Sequence, residues 1–408
     1  AIGPTDVIFL DRDMFAREGF TSGLLIEFRE KLRRFREMGL RVRVLTLRTC
    51  TAGIPCGHGP CIRTRTEAGI SITDCIFSYD IRHVSFSGTE EVLAHLLRRA
   101  SPQIILTYTA AIFLTELDIL AVRQANKTGA VVVSILADEL FPRHGEHPRM
   151  LINAYYAELC CTEITAVSER IRREFEAHTG CTAQTYKSLW HLPDITLPLG
   201  TPRGRFITLV NVHPLKGIVL FERIAARNPQ RSFLVVKTWP DVRPYSPPHP
   251  NIMFRDFFKN PKELYRLTRI LLVPSLYNEG AARVAIEAMY NRIPVIVNGV
   301  GSLSEIVSNP EYVVEPPHVN SYRMIDESIL TPEVDAIDLD RCADDFSHII
   351  NLIEAGREQA EKLCNQAEIF ARRYVASGEE IFTKQASSWL ALAERRRKSM
   401  PLGHTASK

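Results

Sequence analysis

Short apolar runs alternate with longer amphipathic stretches along most of this chain. VIFL (Val7 to Leu10) is followed, after a loop, by LLIEFREKLRRFREMG and then by RVRVLTL (Arg41 to Leu47). The middle stretch mixes apolar and charged positions as a surface helix does, and Gly39 sits where a helix-ending glycine belongs. Further strands are predicted at IILTY (Ile104 to Tyr108), VVVSIL (Val131 to Leu136) and EITAVS (Glu163 to Ser168), with helical patterns between them. Near-continuous apolar strands separated by helices predict a parallel sheet covered on both faces.

A second series of the same kind starts near Arg205. It runs FITLVNV, a helix from Gly217, SFLVVK, a proline-rich loop from Pro240 to Pro250, NIMFRDF, a helix from Pro261, ILLVPS, another helix, and PVIVNG. Between the two series HLPDITLPLGTPRGR (His191 to Arg205) reads as a linker, because its prolines and glycines punctuate the chain. The expected architecture is α/β, with two doubly wound Rossmann-like domains facing across a cleft. The expected bounds are 1–195 for the first domain, 196–375 for the second, and 376–408 for a terminal helix and a polar, disordered tail beyond Arg395.

Composition narrows the class. The chain has 408 residues, 45% hydrophobic and 24% charged, with a net charge of +3. That is long enough for two domains of ordinary size, and too weakly charged overall to suggest nucleic acid as a partner. No apolar run approaches the roughly 20 residues that span a bilayer. Nine scattered cysteines in an α/β enzyme suggest reduced thiols and a cytoplasmic setting.

The chemistry concentrates in RILLVPSLYNEGAARVAIEAMYNRIPVIVNGVGSLSEIV, Arg269 to Val307. Glu279 and Glu287 stand with seven residues between them, the first in a loop after a buried strand and the second in the next helix. Carboxylates accept hydrogen bonds from sugar hydroxyls, and the N–H groups of Gly280, Ala281 and Ala282 open a helix that can meet an anion. The plain alternative is a solvated helix face. The stretch resembles the donor-binding signature of glycosyltransferase family 4, retaining enzymes of GT-B architecture. Pro274, Ser275, Glu279, Gly280, Glu287, Ala288, Met289, Pro294, Val295, Ile296, Gly301 and Glu305 fall in register with it.

The resemblance implies a role for each of several residues. Glu279 would accept from the transferred sugar and Glu287 from the nucleotide ribose. Lys216, in NVHPLKGI, stands where the family places a lysine on the pyrophosphate, and Gly217 would start a helix aimed at the same charge. Asn211 replaces a family arginine, so one cation is missing; Arg283 and Lys237 are candidates to supply it. Gly19 and Ser22, in the first βα loop, either approach the donor phosphates or merely turn the chain. Gly280-Ala281-Ala282 replaces the usual Gly-Phe-Gly, which leaves the identity of the sugar open, and the Gly301 turn would reach phosphate oxygens through its backbone. The family histidine after VVVSIL is absent. Asp138 or Glu139 either takes its place or caps the next segment. The terminal helix of the family crosses back onto the first domain.

Two further features stand beside the motif. Cys50, Cys56, His58 and Cys61 lie within twelve residues, as a zinc site, a free-thiol loop or a local disulfide. The first helix carries Arg29, Lys31, Arg33, Arg34 and Arg36, either as a weak contact with an anionic membrane or as a solvated face. The function implied is that of a retaining hexosyltransferase. It would move a sugar from a UDP- or GDP-sugar to a hydroxyl of a small-molecule, glycan or lipid-linked acceptor, without cofactor or metal. The alternative is a non-catalytic homologue that binds a nucleotide sugar or glycan as a partner subunit.

Overall fold

The structure is a computed structural model. It describes residues 5–11, 23–49, 61–67, 70–77, 89–109, 116–137, 149–201, 204–238, 244–325 and 329–399. Gly19, Ser22, Asp138, Glu139, Cys50, Cys56, His58 and the chain beyond residue 399 lie outside these.

The first sheet contains β1 (Val7–Asp11), β2 (Val42–Thr49), β3 (Cys61–Glu67), β4 (Ile70–Phe77), β5 (Ile104–Thr109), β6 (Val131–Leu136), β7 (Glu163–Ala166) and β8 (Gln184–Thr185). Their spatial order is β3-β4-β2-β1-β5-β6-β7-β8. Every pair is parallel except β3 with β4. The helices α1 (Gly23–Glu37), α2 (Thr89–Ala100), α3 (Glu116–Asn126), α4 (Arg149–Leu159) and α5 (Glu169–Thr179) connect the strands. In α1, Leu25, Phe28, Leu32 and Phe35 recur at three- and four-residue spacing and are fully buried; the Phe28 ring stacks on Phe9 of β1 with centroids 4.4 Å apart. Ser168 caps α5 by accepting from the Ile171 N–H, and Gly180 ends it in the left-handed conformation.

After the short helix α6 (Leu192–Ile195), a second sheet contains β9 (Phe206–Val210), β10 (Phe233–Val236), β11 (Ile252–Arg255), β12 (Thr268–Val273), β13 (Val295–Asn298) and β14 (Val313–Val314). The order β11-β10-β9-β12-β13-β14 is wholly parallel. The helices α7 (Ile218–Arg227), α8 (Pro261–Leu267) and α9 (Arg283–Tyr290) connect it. Each sheet has a switch point in its strand order, at β1/β5 and at β9/β12, which makes the molecule a pair of doubly wound domains.

An antiparallel hairpin of β15 (Val319–Ile325) and β16 (Ile329–Val334) stands outside both sheets. Its Val319 and Val334 pack on the second domain's core, and Tyr322 donates to the Leu276 carbonyl at 2.8 Å. The chain closes with α10 (Ala336–Glu354) and α11 (Arg357–Ser399). The 43-residue α11 serves both domains. Ala367, Ala371, Tyr374 and Val375 join the second domain's core, and Phe382, Ala386, Trp389 and Ala393 join the first's. Gly378 marks the crossing: a Cβ there would lie 2.9 Å from the Ser188 carbonyl oxygen, so only a bare backbone lets the helix pass the segment after β8 so closely. Lys187 ties the same place to Ser377 at 2.8 Å.

Three differences from the sequence reading stand out. The helix continues through Arg395 to Ser399, where a disordered tail is expected. Cys61, which the sequence reading places in a thiol-bearing loop, opens β3, a strand paired antiparallel with β4 at the sheet edge. Cys160 and Cys181 form a disulfide, against the expectation of reduced thiols throughout. The packing of α4 and α5 beside β7 brings these two together, whereas Cys161 remains an exposed thiol.

Candidate functional site

Ligands of open α/β sheets bind beyond the carboxyl ends of the strands, where the order reverses. In the second domain that point lies between β9 and β12. Residues 211–217 follow β9, and residues 274–282 follow β12 and lead into α9.

After β9 the chain makes a 3-10 turn over Pro214–Lys216. His213 caps it, its Nδ1 accepting the Leu215 N–H at 3.1 Å, and burial beside Lys216 pushes the imidazole pKa down to about 4. The neutral ring is the form that can accept this bond. Leu276 reaches back to this turn, its N–H donating to the Leu215 carbonyl at 2.8 Å, so the two loops are held together by backbone. Gly217 permits the approach. It has φ +78°, and a Cβ there would lie 1.9 Å from the Pro274 carbonyl oxygen.

The result is a compact polar cluster. Lys216 Nζ lies 2.6 Å from Glu279 Oε1 and 2.9 Å from the Tyr277 hydroxyl. Ser275 Oγ donates to Glu279 Oε1 at 2.6 Å, and Tyr277 donates to Oε2 at 3.1 Å. Glu279 is buried and Lys216 half-buried. Asn211, also buried, accepts the Thr238 N–H at 3.0 Å, while its Nδ2 has no hydrogen-bond partner among the described residues. The N–H groups of Gly280, Ala281 and Ala282 likewise make no hydrogen bond with any described residue. A half-buried cation, an unpaired amide donor and free N–H groups at a helix start suit an anionic ligand, and Glu279 beside them suits a hydroxyl. Ser275 and Tyr277 complete the cluster. Sequence reading gave neither a role, although both lie between Pro274 and Glu279.

Glu287 belongs to a second cluster. Its Oε1 accepts from Trp190 Nε1 at 3.1 Å and its Oε2 from the Tyr265 hydroxyl, whose own pKa is pushed well up by burial and then by Glu287. Arg283, assigned to the donor from sequence, is directed elsewhere: Nη1 donates to Glu27 of α1 at 2.6 Å and to the Leu189 carbonyl at 2.8 Å. It therefore does not supply the cation that Asn211 lacks. The Lys237 N–H, beyond the end of β10, donates to the Arg255 carbonyl at 3.0 Å.

The Gly301 turn also departs from its expected role. The Gly301 N–H donates to Asn278 Oδ1 at 3.2 Å, and the Ser302 N–H donates to the Glu279 carbonyl at 2.9 Å. Both N–H groups expected to reach phosphate are thus used within the protein. The turn instead meets the first domain. Ser302 bonds the hydroxyl of Ser168, and Glu305 accepts the N–H groups of Glu169 and Arg170 at 3.0 and 2.9 Å. A carboxylate at the start of α5 complements the helix dipole. Ala281 packs on the first domain's core, so the cleft is bridged from both sides of the β12–α9 loop.

Among the described residues no cluster of His, Cys, Asp or Glu is arranged to hold a metal ion. Likewise, no described helix is long and apolar enough to cross a membrane.

Residues 249–333 match the model of a family described as Glycosyl transferases group 1, a span that includes Glu279, Glu287 and the Gly301 turn. No curated protein matches the chain. Sucrose-phosphate synthase from Thermosynechococcus elongatus is a similar solved structure, with TM-score 0.66 and 13% identity, covering 96% of this chain and 100% of that one. HepE of Anabaena, solved in complex with UDP, has TM-score 0.64 and 15% identity over 94% of this chain and 100% of its own. The α,α-trehalose-phosphate synthase (UDP-forming) from Burkholderia vietnamiensis has TM-score 0.59 and 13% identity, covering 94% and 100%. At such identities the likeness is one of fold, the two-domain GT-B arrangement.

Proposed function

We propose that this chain is a glycosyltransferase that moves a hexose from a nucleoside diphosphate sugar, UDP- or GDP-linked, to a hydroxyl acceptor with retention at the anomeric carbon. The observation that carries the reading is the Lys216–Glu279 pair, with Ser275 and Tyr277, at the reversal point of the second sheet. Lys216, Asn211 Nδ2 and the N–H groups of residues 280–282 offset the charge of the diphosphate as it leaves. Glu279 accepts from hydroxyls of the sugar, and Glu287 from the ribose once Trp190 or Tyr265 yields a place. Fixed donors aimed at developing negative charge need no rearrangement during the reaction, which is where such sites gain most of their rate. The charge of the diphosphate is met by side chains and backbone, without metal. The match over residues 249–333 and the likeness to HepE, solved with UDP, and to a UDP-forming trehalose-phosphate synthase support a nucleotide-sugar donor. The proposed setting is the cytoplasm, and the acceptor a small molecule, a glycan or a lipid-linked sugar.

One observation favours a second reading, a non-catalytic homologue that binds the nucleotide sugar. Both Glu287 oxygens and the N–H groups of Gly301 and Ser302 are already engaged within the protein. A single experiment separates the two. The protein is screened by thermal shift against UDP, GDP, ADP and dTDP, then incubated with the matching nucleotide sugars while released nucleotide is measured. Binding with slow donor hydrolysis supports the enzyme. Binding with no release over days supports the second reading, and no stabilisation by any nucleotide removes both.

A further inference from the structure

Arg283 is the first residue of α9, and its position is costly in two ways. A cation at a helix N-terminus opposes the helix dipole, and the residue is 8% exposed, so its charge is also largely taken out of water. The structure offsets this with groups from outside α9. Glu27 Oε2, on α1 of the first domain, lies 2.6 Å from Nη1, and the Leu189 carbonyl lies 2.8 Å from the same atom. The Trp190 ring lies under the guanidinium at 4.7 Å. Only Glu287 belongs to the same helix, and its Oε1 is 3.7 Å from Nε, beyond hydrogen-bond reach. Glu27 itself is almost completely buried and also accepts from Lys31 and from the Leu189 N–H. A buried arginine at this place is therefore retained against local cost by a carboxylate of the opposite domain.

We propose that Glu27 and Arg283 are positioning residues for the donor site. Glu27 acts through Arg283 to hold the first turn of α9, with Glu287 and the 280–282 loop, at a fixed distance from the first domain. The inference rests on the donor site proposed above. Trp190 couples to the same network twice, through its ring to Arg283 and through Nε1 to Glu287. A nucleoside diphosphate that draws on the Glu287 carboxylate therefore changes the surroundings of the Trp190 indole. Trp190 is one of three tryptophans, of which Trp389 is packed in the first domain's core.

The test titrates UDP and GDP into the full chain while tryptophan fluorescence is recorded, with Trp190→Phe identifying the signal. Two variants are compared with the parent. Glu27→Gln leaves a buried guanidinium without its charged partner and is the variant at risk of unfolding; Arg283→Met leaves Glu27 with Lys31 and keeps the test decisive. In Arg283→Met the nucleotide Kd and donor KM are expected to rise about tenfold or more, with kcat changed much less, the Trp190 signal diminished, and the radius of gyration by X-ray scattering increased without ligand. A variant that only melts earlier, with parental Kd, KM, fluorescence change and scattering, overturns the proposal. A parent protein that responds to no nucleoside diphosphate overturns the functional reading first and this inference with it, whereas a parent that binds and a variant that binds equally well overturns this inference alone.

Discussion

Lys216 Nζ and Glu279 Oε1 lie 2.6 Å apart although 63 residues separate them in the chain. The contact exists because β9 and β12 are neighbours in the sheet and their following loops leave on the same edge. Each member stabilises the other's charge in a place with little water. Glu279→Ala leaves a half-buried ammonium, and Lys216→Ala leaves a carboxylate still bonded by Ser275 and Tyr277. Both variants are expected to fold, as read by circular dichroism. Turnover of the nucleotide sugar is expected to drop by roughly two to three orders of magnitude in each, because charge stabilisation is removed where it is best organised. Nucleotide release near the parental rate in either would take the cluster out of the chemistry.

Three glycines with positive φ separate strain from crowding. Gly39 has φ +81° and open space around a built Cβ, so Gly39→Ala is expected to cost about 1 kcal/mol from backbone strain alone. Gly301 has φ +56°, and a Cβ there would meet the Glu279 backbone nitrogen and oxygen at 2.4 Å. Gly217→Ala would drive its Cβ into the Pro274 carbonyl. Gly301→Ala and Gly217→Ala should therefore lower the melting temperature more than Gly39→Ala and weaken nucleotide binding as well. Calorimetry on the three variants checks both effects, and equal losses in all three would show that crowding at the cluster is not what those glycines relieve.

His213 supplies a pH dependence. Its folded-state pKa of about 4 lies below the ordinary 6.5, chiefly because the ring is buried and secondly because Lys216 is near. The unfolded chain therefore takes up the proton first as pH falls. Stability from this residue is complete above about 6.5 and is lost progressively as pH falls from there towards 4. Protonation also converts Nδ1 from acceptor to donor, which breaks the cap on the turn that carries Lys216. Thermal melts from pH 7.5 to 4.5 should show this component in the parent and lack it in His213→Asn. Identical pH slopes in the two would assign the acid sensitivity to other groups.

The Cys160–Cys181 bond closes a loop with a sequence separation of 21. Loop-closure entropy for such a span gives about 3 kcal/mol of stabilisation, on a model that charges it to the unfolded state. Denaturation midpoints measured with and without reductant, and for Cys181→Ser, should differ accordingly. A midpoint indifferent to reductant would mean that the pair is not bridged in solution.

The near-continuous apolar runs made the central strands of both sheets readable, because a strand buried on two faces has few alternatives to a continuous hydrophobic segment; β3, β4, β8 and β14 were not read. The loops around Lys216 and Glu279 were readable through their motif. What the sequence hid depends on partners distant along the chain. The Arg283 side chain is settled by Glu27, 256 positions away, and no local pattern announces that pairing. Glu305 likewise meets the start of α5 only after two domains have docked. The β15–β16 hairpin escaped notice because its strands mix apolar and polar positions and β16 carries Pro332, so that they look like a loop until Val319 and Val334 are seen on the core. The disulfide escaped for the same reason as Arg283, since only the folding of α4 against α5 makes neighbours of its two sulfurs.

The long last helix has a consequence for the order in which this molecule can be made. Of the two globules, the one translated earlier lacks one wall until Phe382, Ala386, Trp389 and Ala393 have been synthesised. Its greasy strip must wait, covered by nothing of its own, while the whole second globule is translated. Cutting the chain at the hinge would therefore not yield two independent halves: one fragment would be left with an open seam, and the other with an apolar rod protruding from it.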